Sequence, residues 1–197
     1  MRVDLHNHTT LCKHATGSMQ EYIQKAISLG IDDYGFSCHA PMEFDKEYRM
    51  DEADMSLYES SVLELKEKYK DKINILLAYE VDYMKEVTIN QKVLNSKCDY
   101  LIGSVHFLDK WGFDNPEYLG EYKKRDIDQT IKQYYEAIEQ MANTGFFNIV
   151  GHMDLIKLFG FKSEHISTKE FVLNALEAIR KHNMSIEINT AGLRKQC

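Results

Sequence analysis

Short apolar runs alternate with longer amphipathic stretches along the chain, and this alternation constrains the fold before any single side chain is considered. Residues 3–5 read as a first strand. Ser18-Met19-Gln20-Glu21 reads as a capping box. The helix it opens carries Ile23, Ala26 and Ile27 on one face and stops at Gly30. A second strand is expected over 33–38, a helix over 54–70 and a third strand over 73–81, rich in Ile, Leu and Tyr. A short helix over 88–95 precedes a fourth strand at 100–105. The segment 107–124 is a long loop of the kind that often serves function. A helix over 126–143, closed by Gly145, leads to a fifth strand at 147–151 and a helical turn near 155–159. Ser167-Thr168-Lys169-Glu170 reads as another capping box, whose helix presents Phe171, Val172, Ala175, Leu176 and Ile179. The sixth strand is 184–189.

Strand and helix in strict alternation imply an α/β fold with a mainly parallel sheet. Right-handed crossovers then build either an open doubly wound sheet or a barrel. No glycine fingerprint follows the first strand, and no phosphate loop ending in Gly-Lys-Ser/Thr occurs, so dinucleotide and nucleoside-triphosphate folds lose their main support. The 197 residues suit one domain over 1–197, and two prolines with ten glycines leave no linker. No apolar run approaches the roughly 18 residues of a membrane span. The opening Met1-Arg2-Val3-Asp4 has no signal layout, so a cytoplasmic protein with reduced thiols is expected. Cys12, Cys38, Cys98 and Cys197 form no Cys-x-x-Cys pair and read as buried or incidental thiols rather than ligands. A net charge of -7 disfavours nucleic-acid phosphates as partners.

The eight histidines carry the chemistry. His6 and His8 follow the first strand, His39 the second, His106 the fourth and His152 the fifth, while Glu80 lies near the end of the third. Five successive strands thus deliver metal-compatible side chains at their carboxyl ends, where parallel barrels build active sites. On extended backbone, side chains at i and i+2 point to one side, so His6 and His8 can grip one ion. Imidazoles suit zinc-, iron- and manganese-like ions, and Glu80 is the best candidate to bridge two of them. Neutral imidazoles around such ions leave positive charge for an anionic substrate. His14 sits in the first loop, close enough in sequence to turn back to the site. His165 and His182 read as surface residues, the latter near a helix C-terminus.

These residues resemble the polymerase and histidinol phosphatase (PHP) family of metal-dependent hydrolases. Asp4-Leu5-His6-Asn7-His8-Thr9-Thr10 is similar to its first motif, Ser37-Cys38-His39-Ala40-Pro41 to its second and Gly103-Ser104-Val105-His106-Phe107 to its third. Leu11-Cys12-Lys13-His14-Ala15, the stretch from Leu108 to Asp114, Gly151-His152-Met153-Asp154-Leu155-Ile156 and Asn189-Thr190-Ala191-Gly192-Leu193-Arg194 resemble the histidinol-phosphatase branch. The resemblance covers the whole chain. It implies a distorted seven-stranded (β/α) barrel of the TIM type holding two or three divalent ions, zinc, iron or manganese. One ion would take His6, His8 and bridging Glu80, a second Glu80, His106 and His152, and a third His14 and His39. Arg194 matches a position expected to hold substrate phosphate, the alternative being a solvated terminal arginine.

The family also carries an Asp-x-His motif after its seventh strand, which this sequence lacks. The expectation is therefore a barrel of about six strands, truncated at its C-terminus, whose open edge is covered by self-association, a swapped segment or a rearranged C-terminus. The reaction implied is hydrolysis of a small phosphate monoester, L-histidinol phosphate of histidine biosynthesis, with a metal-bridging hydroxide as nucleophile. Asp154 and metal-bound water are candidates for the leaving-group acid. Trp111 and Phe113, with Tyr118 and Tyr122, either line the substrate pocket or simply pack under the long loop. A nuclease-type member of the family and a metal-binding remnant without activity are the alternatives.

Overall fold

Burial on both faces marks the central strands. In β2 (Asp33–His39) every residue from Tyr34 to Cys38 is buried, and in β3 (Asn74–Asp82) so are Leu77 through Asp82. Runs of this kind belong to parallel sheets covered on both sides. The computed structural model describes residues 1–163 and 167–190. Arg194, Cys197 and His165 lie outside the described residues. The chain divides into two units, Met1–Val81 with Ile89–Ile102, and Asp82–Thr88 with Gly103–Cys197.

The first unit holds β1 (Val3–Asn7), α1 (Met19–Ser28), β2, α2 (Met55–Tyr69), most of β3, α3 (Gln91–Leu94) and the start of β4 (Tyr100–Ser104). The capping box at α1 forms as its sequence predicts. Glu21 N–H donates to Ser18 Oγ at 3.3 Å and Ser18 N–H returns to Glu21 Oε2 at 2.7 Å. β1 pairs in parallel with β2, and β2 with β3. The β2–β3 register sets His39 directly beside Glu80. Ile23, Phe36, Tyr58, Val62 and Ile75 form a fully buried core. Gly35 is glycine for a reason of space. A Cβ there would lie 1.8 Å from the Tyr100 hydroxyl, which donates to the Leu5 carbonyl and ties β1 down.

The second unit continues β4 through Gly103 and Ser104. The segment 107–124 is not structureless. It begins with a hairpin of β5 (Phe107–Leu108) and β6 (Trp111–Gly112), turned by Asp109 at φ 57°, and continues as a 3-10 helix over Pro116–Lys124. After these come α4 (Ile127–Asn143), β7 (Ile149–Val150), a 3-10 turn at Leu155–Lys157, α5 (Lys169–Lys181) and β8 (Ser185–Ile186). β7 and β8 are much shorter than the strands expected at 147–151 and 184–189. Phe147 leaves the ladder to pack over Gly103, where an added Cβ would meet its ring at 2.8 Å. The expected capping box at Ser167 does not form. Thr168 is the N-cap, and its helical backbone (φ −73°, ψ −8°) makes no side-chain cap bond.

Strand order in the sheet, β1-β2-β3-β4-β7-β8, follows chain order without reversal. A doubly wound sheet reverses at a switch point. Each crossover here adds its strand at the same edge, which is the winding of the barrel class. No helix among the described residues is long and apolar enough to cross a membrane.

Candidate metal centre

Each unit carries its own cluster of donors. In the first, Glu80 is the third residue from the end of β3 and only 1% exposed. Three imidazoles converge on its Oε2: His6 Nε2 at 3.0 Å, His39 Nδ1 at 3.3 Å and His8 Nε2 at 3.4 Å. The His8 and His39 rings stack with centroids 4.7 Å apart, and His14 lies 5.0 Å from His8 and 5.1 Å from His39. His14 reaches this cluster through a local reversal. Thr9 caps a 3-10 turn over Thr10–Cys12, and Lys13 then adopts the left-handed region at φ 68°.

The donor set fits a divalent cation. Nitrogen lone pairs of neutral imidazoles repel carboxylate oxygens at these distances, so protons or a cation must lie between them. A carboxylate this buried is costly unless paired. Imidazole and carboxylate together suit zinc, iron or manganese. Ligand atoms of His6, His8 and Glu80 lie within 4.8 Å of one another, and so do those of His8, Cys12 and His14.

Two thiols support this cluster. Cys12 and Cys38 are fully buried. His39 N–H donates to Cys12 Sγ and Thr9 N–H to Cys38 Sγ, both at 3.1 Å. The sulfurs also pair with each other. Burial and the Cys38 partner push the Cys12 thiol up. Burial would raise Cys38 too, but hydrogen bonds from Cys12 and Thr9 bring it below its ordinary value. Their buried state agrees with the sequence reading. Their bonds to the backbone beside His8 and His39 had no signal in the sequence.

In the second unit, His106 follows β4 and shares a hydrogen bond through Nδ1 with Oδ1 of buried Asp82. The His106 and His152 rings lie 4.7 Å apart. His152 has φ 27°, a conformation that side chains other than glycine rarely adopt. Three bonds hold it there. Its N–H donates to Glu187 Oε2 at 2.7 Å, and its carbonyl accepts the Tyr134 hydroxyl at 3.0 Å and Leu155 N–H at 2.9 Å. Asp82, Tyr134 and Glu187 were not foreseen from sequence. Strand periodicity could have found Asp82, two residues after Glu80, but nothing local marks the other two.

The remaining predicted residues lie elsewhere in the second unit. Trp111 and Phe113 are buried, Trp111 edge-on to Tyr122 and Phe113 edge-on to Tyr134. The Arg125 guanidinium covers Trp111 at 4.2 Å. Asp154 is exposed at the entry to the Leu155–Lys157 turn. His182 caps the C-terminal end of α5 as expected, but it is half-buried rather than on the surface, beside Gly145. A groove of about 450 Å³ runs between the Tyr83–Val87 segment, the β5–β6 hairpin and α4. None of Asp82, His106 and His152 lines it, so its size is no guide to the chemistry.

Comparison with known proteins agrees with this picture. The PHP domain matches residues 4–191. A relative in Deinococcus radiodurans, named probable histidinol-phosphatase, is 36% identical over 98% of this chain and 74% of its own length. The histidinol-phosphatase of Bacillus subtilis is 30% identical over 98% of this chain and 81% of its own length. The crystal structure of histidinol phosphate phosphatase from Lactococcus lactis, a complex with zinc, L-histidinol and phosphate, shares the fold at TM-score 0.82. It is 21% identical and covers 96% of this chain and 73% of its own. With the family match running over residues 4–191, this chain belongs to the PHP domain family.

Proposed function

We propose that this chain is a metal-dependent phosphate-monoester hydrolase and that its substrate is L-histidinol phosphate. The observation that carries the reading is the convergence of His6, His8 and His39 on one buried oxygen of Glu80. The substrate rests on the relatives, two of which bear the histidinol-phosphatase name at 36% and 30% identity. The Lactococcus lactis protein was solved with both halves of the hydrolysed ester, L-histidinol and phosphate.

The reaction adds water across the P–O ester bond and yields an alcohol and orthophosphate. Bound divalent ions, two or three of zinc, iron or manganese, supply Lewis acidity toward the phosphoryl oxygens and lower the pKa of a water. The chain's own groups hold and orient. His6, His8 and Glu80 bind one ion, and His14 and His39 donate to a further one. His106 and His152 donate from the second unit. Asp82 keeps a proton on Nδ1 of His106 and so turns the Nε2 lone pair outward. Arg194, outside the described residues, grips the substrate phosphate with its guanidinium. The departing alkoxide takes its proton from Asp154 or from water. Trp111 and Phe113 shape the substrate side as buried supports of the hairpin. A cytoplasmic setting goes with the free thiols Cys12, Cys38 and Cys98.

The test is to purify the chain, count bound metal and assay L-histidinol phosphate beside an aryl phosphate and single-stranded DNA. We expect phosphate release that favours L-histidinol phosphate, stops on chelation and returns with added metal. Preference for DNA would overturn the substrate, and turnover that survives metal removal would overturn the metal centre. Light scattering on the same sample tests whether the chain self-associates.

A further inference from the structure

Cys12 sits where a metal-binding histidine needs an acceptor. His8 points Nε2 at Glu80 Oε2 and Nδ1 at Cys12 Sγ, 3.6 Å away. A neutral imidazole has one N–H. If Nε2 offers its lone pair to a cation, the proton is on Nδ1 and needs a partner. The same sulfur takes the backbone N–H of His39 at 3.1 Å. No water competes, because Cys12 is fully buried.

We infer that Cys12 is a positioning residue of the metal centre, its sulfur accepting from both His8 Nδ1–H and His39 N–H and thereby fixing which nitrogen of His8 meets the cation. The inference rests on the metal centre proposed above. It goes beyond that proposal by giving a role to a residue outside the donor set. Asp82 does the equivalent work for His106 with a carboxylate. A thiol orients the ring without adding a charge beside Glu80, whose buried carboxylate already serves three imidazoles. Cys38 completes a reciprocal clip. Its sulfur takes Thr9 N–H at 3.1 Å, with the Thr9 hydroxyl 2.9 Å away, so each sulfur holds the backbone next to a histidine. The opposing arrangement, with Cys12 itself coordinated beside His8 and His14, would use Nδ1 of His8 and turn the ring from Glu80.

The experiment compares the full chain with Cys12→Ala, Cys12→Ser and, as a control, Cys98→Ser. Metal retention is titrated with a graded chelator, cobalt(II) spectra are recorded, and kcat and KM are measured on an aryl phosphate. Cys12→Ala should weaken metal retention by about 10–100-fold, the range found for lost orienting partners of metal ligands. The loss should fall on kcat rather than KM. Cys12→Ser should recover most of it, since a hydroxyl also accepts, and the cobalt form of the parent should show no thiolate charge-transfer band. Parental metal affinity in Cys12→Ala overturns the inference, even if the metal-free protein melts lower. A charge-transfer band that vanishes in Cys12→Ser overturns it in favour of direct coordination. Should Cys12→Ala fail to fold, Cys12→Val, which fills the buried site without an acceptor, takes its place in the chelator titration, and parental metal affinity there overturns the inference. If the parent itself holds no metal, the metal centre fails and this inference with it. If the parent holds metal and Cys12→Ala holds it equally, only the role of Cys12 falls.

Discussion

Asp82 Oδ1 and His106 Nδ1 face each other across one short hydrogen bond, with the carboxylate buried. A carboxylate accepts only, so it holds the ring proton on Nδ1 and presents the Nε2 lone pair. Asp82→Asn keeps the size but brings an NH2 that can donate to Nδ1 and favour the opposite tautomer. We expect metal affinity to fall by about 10–100-fold and kcat with it, while the melting temperature of the metal-free protein changes little. Chelator titration with parallel thermal melts checks this. Unchanged affinity would mean that His106 is oriented by other contacts.

Tyr134 and His152 give a second prediction. The buried phenol donates to the carbonyl of a residue held at φ 27°. Such backbone strain persists only where surrounding bonds over-determine it. Tyr134→Phe removes one of the three bonds and leaves the carbonyl with Leu155 N–H. Because the carbonyl keeps that partner, the loss is that of one hydrogen bond, about 0.5–1.5 kcal/mol. We expect a stability loss in that range by urea unfolding, and a fall in turnover larger than the destabilisation alone explains under fully folded conditions. A variant that is less stable but fully active would confine Tyr134 to packing.

Gly35 and Tyr100 predict a non-additive pair. An added Cβ at Gly35 would meet the Tyr100 hydroxyl at 1.8 Å and its ring carbon Cζ at 2.9 Å. Gly35→Ala therefore expels the ring and breaks its tie to Leu5, and overpacking of this kind costs about 1–3 kcal/mol or more. Tyr100→Phe alone loses only the hydroxyl bond. In the double variant the worst clash is gone, so its loss should be smaller than the sum of the two. Urea midpoints for the three variants decide. Strict additivity would show that the backbone at Gly35 moves instead.

Much of the donor set was legible in the sequence, because parallel strands end on the same side and His39 and Glu80 each close a recognisable apolar run. The β2–β3 register then makes them neighbours. What escaped was set by distant contacts. Tyr134 and Glu187 reach His152 across 18 and 35 residues, and no local pattern encodes that meeting. Cys12 and Cys38 look like ordinary core thiols until the backbone N–H groups aimed at them are seen. The weak strands failed differently. The stretches 147–151 and 184–189 have strand composition, yet only Ile149–Val150 and Ser185–Ile186 pair, and Phe147 packs over Gly103 instead of extending the ladder. At Ser167 the letters of a capping box are present, but the N-cap backbone at Thr168 is helical rather than extended.

Alkali tests the core. Burial and the nearby Asp114 push Tyr122 from its ordinary 10.0 up to about 12, and burial raises Tyr58 and Tyr134 well above theirs. Below pH 10 these phenols are neutral in both folded and unfolded chains, and their burial stabilises in full. Between 10 and 12 the unfolded chain releases the Tyr122 proton while the folded chain keeps it, so stability falls as pH rises. Each such group contributes about 1.4 kcal/mol per pH unit over its own window. We expect urea midpoints to drop steeply above pH 10, with the phenolate absorbance of the buried rings appearing together with loss of tertiary structure. Tyr122→Phe removes one titrating phenol, so it should shallow the slope between pH 10 and 12 even though it also loses the bond from the hydroxyl to the Phe113 carbonyl. Gradual ionisation of all twelve tyrosines from pH 10 in a protein that stays folded would show that these rings are reached by solvent.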